Sequence, residues 1–300
     1  MCRQNNLIVA KNIEENIEKN NSINKNKHVM ITGGNQGIGL QTALLLASRG
    51  CYDITIACRN QRRAETALKQ LKERAEQSNN FKSKFSWLSL DFIFDIIILN
   101  AGVLLPKEKS TNDGFEPTFQ VNFLGHFLLI DGIVKHQCPN HSLRVITLTS
   151  VIQRLVGNIF PLEKNVEKWP EMFQNAKRWK AYALSKFATA MLAHHLNNFY
   201  GDSVKAFAVH PGAVRTQMSD NVCHKGTRKM LFFLRRLLIE PETAAKNVLF
   251  CVDNNLKNGQ YKHANCIKKL PAATRKQKNI DALIETSRKL IEQFKLIEQF

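Results

Sequence analysis

The residues best suited to chemistry are Tyr182 and Lys186, which stand four positions apart in a helical pattern. Residues with this spacing lie one above the other on a helix face, so the lysine ammonium is expected beside the phenol. A phenol with a pKa of about 10 exchanges protons poorly at neutral pH unless a neighbouring cation favours the phenolate. Ser150 ends a strand pattern, where its hydroxyl could meet a substrate carbonyl. These three residues predict an acid/base site, although a packed tyrosine beside a surface lysine has the same spacing.

A glycine-rich segment, Gly33-x-x-x-Gly37-x-Gly39, lies between the apolar run 28–32 and an Ala/Leu-rich stretch. Without Cβ atoms the main chain can approach a pyrophosphate, and the N-terminus of a helix supplies free N–H groups and a partial positive charge. Because the loop follows a strand and opens a helix, it predicts a dinucleotide-binding site. The alternative is a glycine-rich turn without a ligand.

The second strand pattern ends at Arg59, with Arg62 and Arg63 shortly after it. An acid at this place would bind the ribose 2′-hydroxyl of NAD, whereas a planar guanidinium can pair with two oxygens of a 2′-phosphate. The sequence therefore favours NADP(H) over NAD(H). Arg62 and Arg63 also suit the solvated face of a helix.

Alternating helical and strand patterns position these residues. The strand patterns are 28–32, 54–58, 85–90, 96–99, 144–148 and 204–209, and the helical patterns are 40–49, 61–77, 114–135 and 180–199. Continuously apolar strands that alternate with helices predict an α/β fold with a doubly wound parallel sheet. We expect a single domain over 28–270, a disordered extension at 1–27 and a helical tail at 271–300.

The composition narrows the class of protein. The chain has 300 residues, of which 44% are hydrophobic and 23% are charged, as in a soluble globular protein. Its seven cysteines are scattered without ligand spacing, so we expect reduced thiols, no metal site and an intracellular protein, cytoplasmic or peripheral on a membrane. No signal peptide or membrane span is recognisable. The net charge of +18 suits an anionic partner, but no nucleic-acid-binding module accompanies it.

The order of these motifs resembles that of the short-chain dehydrogenase/reductase family, and within it the retinol-dehydrogenase-like members. The resemblance covers residues 28 to 262 and is carried by 32–39, 57–60, 90–91, 100–102, 121–127, 149–150, 182–186, 210–212 and Thr216. It implies a Rossmann-like fold and hydride transfer between a nicotinamide cofactor and an alcohol or carbonyl carbon.

The resemblance also implies a role for each matching residue. Tyr182 would be the acid/base and Lys186 would tune it, while Ser150 would orient the carbonyl and Asn122 would anchor a water in the proton relay. Tyr182 and Lys186 would also contact the cofactor. The remaining residues of the implied cofactor site are Gly33, Asn35, Gln36, Gly37, Ile38 and Gly39 around the pyrophosphate, Arg59 at the 2′-phosphate, Asp91 at the adenine, Asn100, Ala101 and Gly102 along the ribose, and Pro211, Gly212 and Thr216 at the nicotinamide end.

The chain departs from the family between strands 3 and 4. Only eight residues, 92–99, separate Asp91 from Asn100, where the family has a crossover helix. In the strand order 3-2-1-4 the chain must recross three strand spacings of ~4.8 Å and return along the strand. Residues 92–95 extend over about 18 Å at most. We therefore predict that this helix is missing, that 96–100 stays in the sheet and that 81–91 is frayed or displaced.

A basic and apolar segment, 225–240, follows the His-Pro-Gly motif. It suits either a lid that packs over the substrate pocket or an interfacial helix that contacts anionic headgroups. The sequence predicts an NADP(H)-dependent oxidoreductase for a lipophilic alcohol or carbonyl, such as a retinoid, steroid or lipid aldehyde. The alternative is a truncated, non-catalytic product with impaired cofactor binding. Family members often pair through the helices of Asn122 and Tyr182, which leaves a homodimer open.

Overall fold

The computed structural model describes residues 26–88, 93–136, 141–156, 169–215 and 238–297, without the side chains of 169–170 and 293–297. The predictions made for 1–25, for Asp91, for Thr216 and for nearly all of the segment 225–240 lie outside the described residues. No helix among the described residues is long and apolar enough to cross a bilayer.

Strands and helices alternate along the chain. The strands are β1 (Lys27–Thr32), β2 (Tyr52–Ala57), β3 (Phe85–Trp87), β4 (Ile96–Leu99), β5 (Leu143–Leu148), β6 (Val204–His210), β7 (Gln260–His263) and β8 (Cys266–Lys269). The helices are α1 (Gly37–Arg49), α2 (Gln61–Gln77), α3 (117–135, with a π-helical turn at Gln120–Leu124), α4 (Trp169–Gln174), α5 (Arg178–Tyr200), α6 (Pro241–Asp253) and α7 (Gln277–Ile297). A 3₁₀ turn, Val151–Leu155, follows β5.

The strands form one eight-stranded sheet in the order β3-β2-β1-β4-β5-β6-β7-β8. All neighbouring pairs are parallel except β7 and β8, which form an antiparallel pair. The central strand β4 reads Ile-Ile-Ile-Leu and is buried throughout, because helices cover both of its faces. The prediction of an α/β fold with a doubly wound, Rossmann-like sheet in a single domain is confirmed.

Two apolar layers hold the helices against the sheet. Residues of α1, α2 and α6 form one buried cluster with one face of the strands. Residues of α3, α5 and α7 form the other cluster on the opposite face. Helix α7 contributes buried side chains at spacings of three, four and seven residues, namely Ile280, Leu283, Ile284 and Ile291. It therefore packs against the core beside α5.

The prediction that residues 81–91 are frayed or displaced from the sheet is wrong for β3. This strand pairs with β2 in parallel, from Ile54↔Phe85 to Ile56↔Trp87. At the same time β4 pairs with β1 in parallel. Strands β3 and β4 thus both lie in the sheet, although the estimated length of the connection predicted that only β4 would.

The connection between β3 and β4 is long enough because β3 ends earlier than predicted. It ends at Trp87 instead of residue 90, so residues 88–95 are available to connect the strands. Eight extended residues reach about 29 Å, whereas three strand spacings of ~4.8 Å and a return of two residues require a shorter direct path. Residues 89–92 lie outside the described part of the connection, so the missing crossover helix stays a prediction.

Candidate active site

Tyr182, Lys186 and Ser150 meet at the carboxyl end of β5. The Lys186 Nζ donates a hydrogen bond to the Leu148 carbonyl at 2.9 Å and lies 5.9 Å from the centre of the Tyr182 ring. The Thr149 hydroxyl donates to the Lys186 carbonyl at 2.6 Å. These bonds fasten the end of β5 to the turn of α5 that carries both side chains, so the strand and helix position the trio together.

Burial shifts the pKa values of Tyr182 and Lys186. It raises the pKa of Tyr182 to about 12, although a hydrogen bond with the Ser150 side chain works in the opposite direction. Burial lowers the pKa of Lys186 to about 8, because an ammonium loses solvation inside the protein. At neutral pH the phenol therefore carries its proton, and most Lys186 side chains still carry the charge that favours its release.

Asn122 lies in the π-helical turn of α3, and its side chain is occupied by protein partners. Its Oδ1 accepts a hydrogen bond from the Val103 N–H at 2.7 Å, and its Nδ2 donates to the Val103 carbonyl at 3.1 Å. The Nδ2 also donates to the Ser185 hydroxyl at 2.9 Å. This amide thus connects α3 to α5 next to Lys186. Its predicted role in holding a water stays a prediction and falls to its carbonyl group.

His126 is a site residue that the sequence reasoning missed. It is buried, with Nδ1 3.1 Å from the Asn122 carbonyl and Nε2 2.9 Å from the Thr32 hydroxyl. A carbonyl only accepts, so Nδ1 carries the proton and Nε2 accepts from Thr32. Burial, and after it the charge of Lys186, lowers the pKa of His126 to about 4. The available signal was its position four residues after Asn122, which predicts contact on one helix face.

The glycine loop packs against the segment that follows β4. The Asn100 Nδ2 donates to the Thr32 carbonyl at 2.9 Å and to the Gly33 carbonyl at 3.2 Å. A Cβ at Gly39 would clash with both the Asn100 amide and the Gly33 carbonyl. The side chain of Asn100 therefore supports the loop, and only a glycine fits at the start of α1 beside it.

The first turn of α1 suits an anionic group. Its N-cap residue, Gln36, is extended and makes no capping hydrogen bond, so the side chain leaves the first N–H groups of the helix free to bind a phosphate. The predicted loop residues Asn35 and Ile38 flank this N-cap. The loop and helix start thus fit the pyrophosphate of a dinucleotide.

The residues after β2 fit a second phosphate. Arg59 is exposed and lines an open groove with Asn60, Gln61, Arg62 and Glu65. Asn60 caps α2 by accepting from the Arg63 N–H at 2.9 Å. Arg63 also lies 3.4 Å from the Gln36 side chain, which joins this groove to the glycine loop. A guanidinium at this place suits a 2′-phosphate group.

The third part of the predicted cofactor site lies between the phosphate loop and the lysine. Gly102 is so close to α3 and α5 that an added Cβ would lie 3.2 Å from the Asn122 Oδ1 and 3.5 Å from the Lys186 Nζ. The Ala101 N–H donates to the Thr32 hydroxyl at 3.0 Å. The Pro211 carbonyl, after β6, accepts from the Asn247 Nδ2 at 3.0 Å. Gly212, the next residue, has a φ of +115°.

The sequence is similar to those of known proteins. The short chain dehydrogenase family matches residues 27–86. Human retinol dehydrogenase 13 is 33% identical over 240 residues, which cover 73% of this chain and 70% of that protein. Human polyprenol dehydrogenase is 31% identical over 217 residues, which cover 64% of this chain and 62% of that protein.

Solved structures show the same fold. Levodione reductase aligns with a TM-score of 0.60 at 18% identity, covering 80% of this chain and 96% of that one. A short-chain dehydrogenase from Escherichia coli CFT073, solved with NADPH, aligns with a TM-score of 0.58 at 19% identity, covering 81% of this chain and 98% of that one.

The chain belongs to the short-chain dehydrogenase/reductase family, whose members are oxidoreductases that act on CH–OH groups with NAD(P). Within this family it is a retinol-dehydrogenase-like member.

Proposed function

We propose that the protein is an NADP(H)-dependent oxidoreductase for a lipophilic alcohol or carbonyl compound. The observation that carries the proposal is the meeting of Tyr182, Lys186 and Ser150 at the sheet edge that also presents the glycine loop. Two relatives are named for retinol and polyprenol, which are both apolar alcohols. Their names support an apolar substrate here.

The chain's own residues move the proton. When bound, the nicotinamide supplies or takes up the hydride. In the reducing direction the Tyr182 phenol donates its proton to the carbonyl oxygen, which the Ser150 hydroxyl orients by a hydrogen bond. The ammonium of Lys186 then stabilises the phenolate that remains. In the oxidising direction the phenolate takes the alcohol proton.

Preference for NADP(H) rests on Arg59. Arg59 is the second residue after β2, and it lines the groove that Arg63 links to the glycine loop. Neither Asp nor Glu occupies positions 58–60, where a carboxylate would repel a 2′-phosphate. The described residues thus suit the phosphorylated cofactor.

Substitution of Tyr182 by Phe tests the proposed function. We expect loss of turnover of retinol and of decanal with NADP(H), while the NADPH dissociation constant stays within about threefold, because only the proton donor is removed. Tyr200→Phe, at the far end of α5, is the matched control. A Tyr182→Phe protein with undiminished turnover would contradict the mechanism.

The second candidate is a non-catalytic protein with impaired cofactor binding. It is favoured by the short connection between β3 and β4, in which only residues 88–95 separate the two strands. NADPH fluorescence titration of the purified wild-type chain separates the two candidates. Micromolar binding supports the enzyme, and absence of binding supports the alternative.

Peripheral membrane contact through 225–240, a homodimer and an intracellular location stay predictions. Sedimentation with anionic liposomes tests the first of them. Arg235→Glu combined with Arg236→Glu should abolish binding if basic residues contact the headgroups. Unchanged sedimentation of that variant would favour a lid.

A further inference from the structure

Gln153 carries a buried amide for which the described part of the chain offers no hydrogen-bond partner. The residue is 0% exposed, and neither its Nε2 nor its Oε1 is paired. Buried polar groups are paired in the great majority of cases, so this amide has the capacity to bind a partner from outside the described residues. In the buried amide of Asn122, by contrast, both polar atoms are paired, with Val103 and Ser185.

The position of Gln153 connects it to the reaction centre. Ser150 is the N-cap of the 3₁₀ turn Val151–Leu155, and the Gln153 N–H donates to the Ser150 carbonyl at 3.1 Å. Residues three apart on such a turn share a face and lie about 6 Å apart along its axis. The Ser150 side chain in turn bonds to the Tyr182 phenol. The unpaired amide is thus one turn from the group that orients the carbonyl.

The neighbours of Gln153 that face the core are apolar, whereas Arg154 beside it is exposed. Val156 is buried in the same core cluster as α3 and α5, and Ile152 packs against that cluster. These side chains offer Gln153 neither donors nor acceptors. Because no described residue pairs with the amide, it can pair with a polar group of a bound molecule.

We propose that the Gln153 amide binds a second polar group of the substrate, a hydroxyl or carbonyl a few bonds from the reacting carbon. This inference rests on the proposed function and narrows its substrate class to apolar alcohols or carbonyls that carry a second oxygen. An amide offers both a donor and an acceptor, so a hydroxyl can make two bonds to it. An analogue without the second oxygen leaves the amide unpaired and is disfavoured.

Two aldehydes that differ in one hydroxyl test the proposal, trans-2-decenal and 4-hydroxy-trans-2-decenal, whose trans double bond prevents ring closure to a hemiacetal. We expect the wild-type enzyme to reduce the hydroxylated aldehyde with a kcat/KM about tenfold higher than that for trans-2-decenal. Gln153→Met keeps the length of the side chain and removes its polar atoms. In this variant the preference should fall to within about twofold, because kcat/KM for the hydroxylated aldehyde falls toward that for trans-2-decenal.

Thermal unfolding of the ligand-free protein tests the structural premise separately. If the amide has no partner, Gln153→Met keeps or raises the Tm, because no hydrogen bond is lost and a polar group leaves the interior. Gln153→Leu serves as a second apolar variant in case the methionine packs poorly. A fall in Tm of more than about 2 °C in both variants overturns the proposal, because it shows that the amide has protein partners.

Turnover distinguishes failure of the proposal from failure of the proposed function. Equal wild-type turnover of the two aldehydes overturns the role of Gln153 and leaves the reductase function standing. An equal loss of both activities in Gln153→Met also overturns it, because the residue then acts on packing. A wild-type enzyme that binds NADPH and reduces neither aldehyde contradicts the proposed substrate class and, with it, the role of Gln153.

Discussion

The Nε2 of His126 lies 2.9 Å from the hydroxyl of Thr32, although 94 residues separate them in the chain. This buried contact joins the last residue of β1, just before the glycine loop, to the helix that carries Asn122. The segment before the glycine loop and α3 therefore share one hydrogen-bond network. Changes at either end of that network should reach the other.

Removing the Thr32 hydroxyl tests this network. Thr32→Val leaves the Asn100 and Ala101 N–H groups, at 2.9 and 3.0 Å in the wild type, without their acceptor. We expect unfolding to cost about 1–3 kcal/mol less and NADPH to bind more weakly. Urea unfolding and NADPH titration measure both effects. Thr66→Val, on the exposed face of α2, is the control and should change neither.

The lowered pKa of His126 predicts that the folded protein loses stability in acid. Its folded pKa of about 4 lies below its ordinary value, so the unfolded chain binds a proton that the folded chain excludes between pH 6.5 and 4. Its contribution is retained above that range and lost as the pH falls through it. Between pH 7 and 5 this loss amounts to about 2 kcal/mol for one such group.

Urea unfolding of His126→Gln and of the wild type at pH 7, 6 and 5 measures that loss of stability. The variant cannot take up a proton at this position, so its stability should decline about 2 kcal/mol less than that of the wild type. Parallel decline of the two proteins would contradict the assignment. His136→Gln, at an exposed histidine just after α3, should follow the wild type.

The pH dependence of catalysis follows from Lys186. The pKa of its ammonium is lowered to about 8, so the charge that favours the Tyr182 phenolate is lost as the pH rises through that value. We expect kcat/KM for carbonyl reduction to be flat up to about pH 7 and to fall by up to tenfold per pH unit above about 8. Lys186→Met should be slower and should lack this limb. A variant that retains it would assign the titration to another group.

Arg59 should decide between the two nicotinamide cofactors. Arg59→Ser removes the guanidinium beside the groove after β2, so the KM for NADPH should rise about 10- to 100-fold while that for NADH changes little. Steady-state kinetics with each cofactor measure the ratio. Lys72→Ser removes one exposed charge from α2 and should leave both values unchanged. An equal effect of both substitutions would point to net charge alone.

A substitution of Gly102 tests how closely this residue packs against Asn122 and Lys186. Gly102→Ala places a Cβ 3.2 Å from the Asn122 Oδ1 and 3.5 Å from the Lys186 Nζ. We expect turnover to fall about tenfold through displacement of these groups. Gly132→Ala, in α3, meets no atom within 4 Å and should retain activity and gain about 0.5–1 kcal/mol of stability. Retained turnover in Gly102→Ala would show that position 102 tolerates a side chain.

Local patterns predicted much of the fold, because buried parallel strands are recognisable as short apolar runs. Ile96–Leu99 and Leu143–Leu148 lie in the predicted positions. The end of β3 was not predictable from such a pattern. There Leu88 takes a φ of +50°, and the Trp87 Nε1 bonds to the Cys58 carbonyl of another strand end.

Tertiary contacts explain what the sequence did not disclose. Strand β8 reads Cys-Ile-Lys-Lys and is exposed throughout, so no apolar pattern marks it. In β7 the ammonium of Lys262 lies 4.1 Å from the centre of the Phe250 ring, which allows a polar strand to be buried. The unpaired amide of Gln153 likewise becomes visible only when its neighbours are placed. The order of the motifs identifies the candidate reacting residues. The residues that support them are recognised only from contacts that form in the folded chain.

Helix α7 covers part of α5 with Ile280, Leu283 and Ile284, and its Arg288 lies 4.0 Å from an Asp131 oxygen of α3. A chain that stopped before Gln277 would present apolar side chains of α5 to water. Such a shortened product would be lost to aggregation although each reacting group was intact. Damage to the last helix and damage to the chemistry would then give the same inactive preparation, and only light scattering would tell them apart.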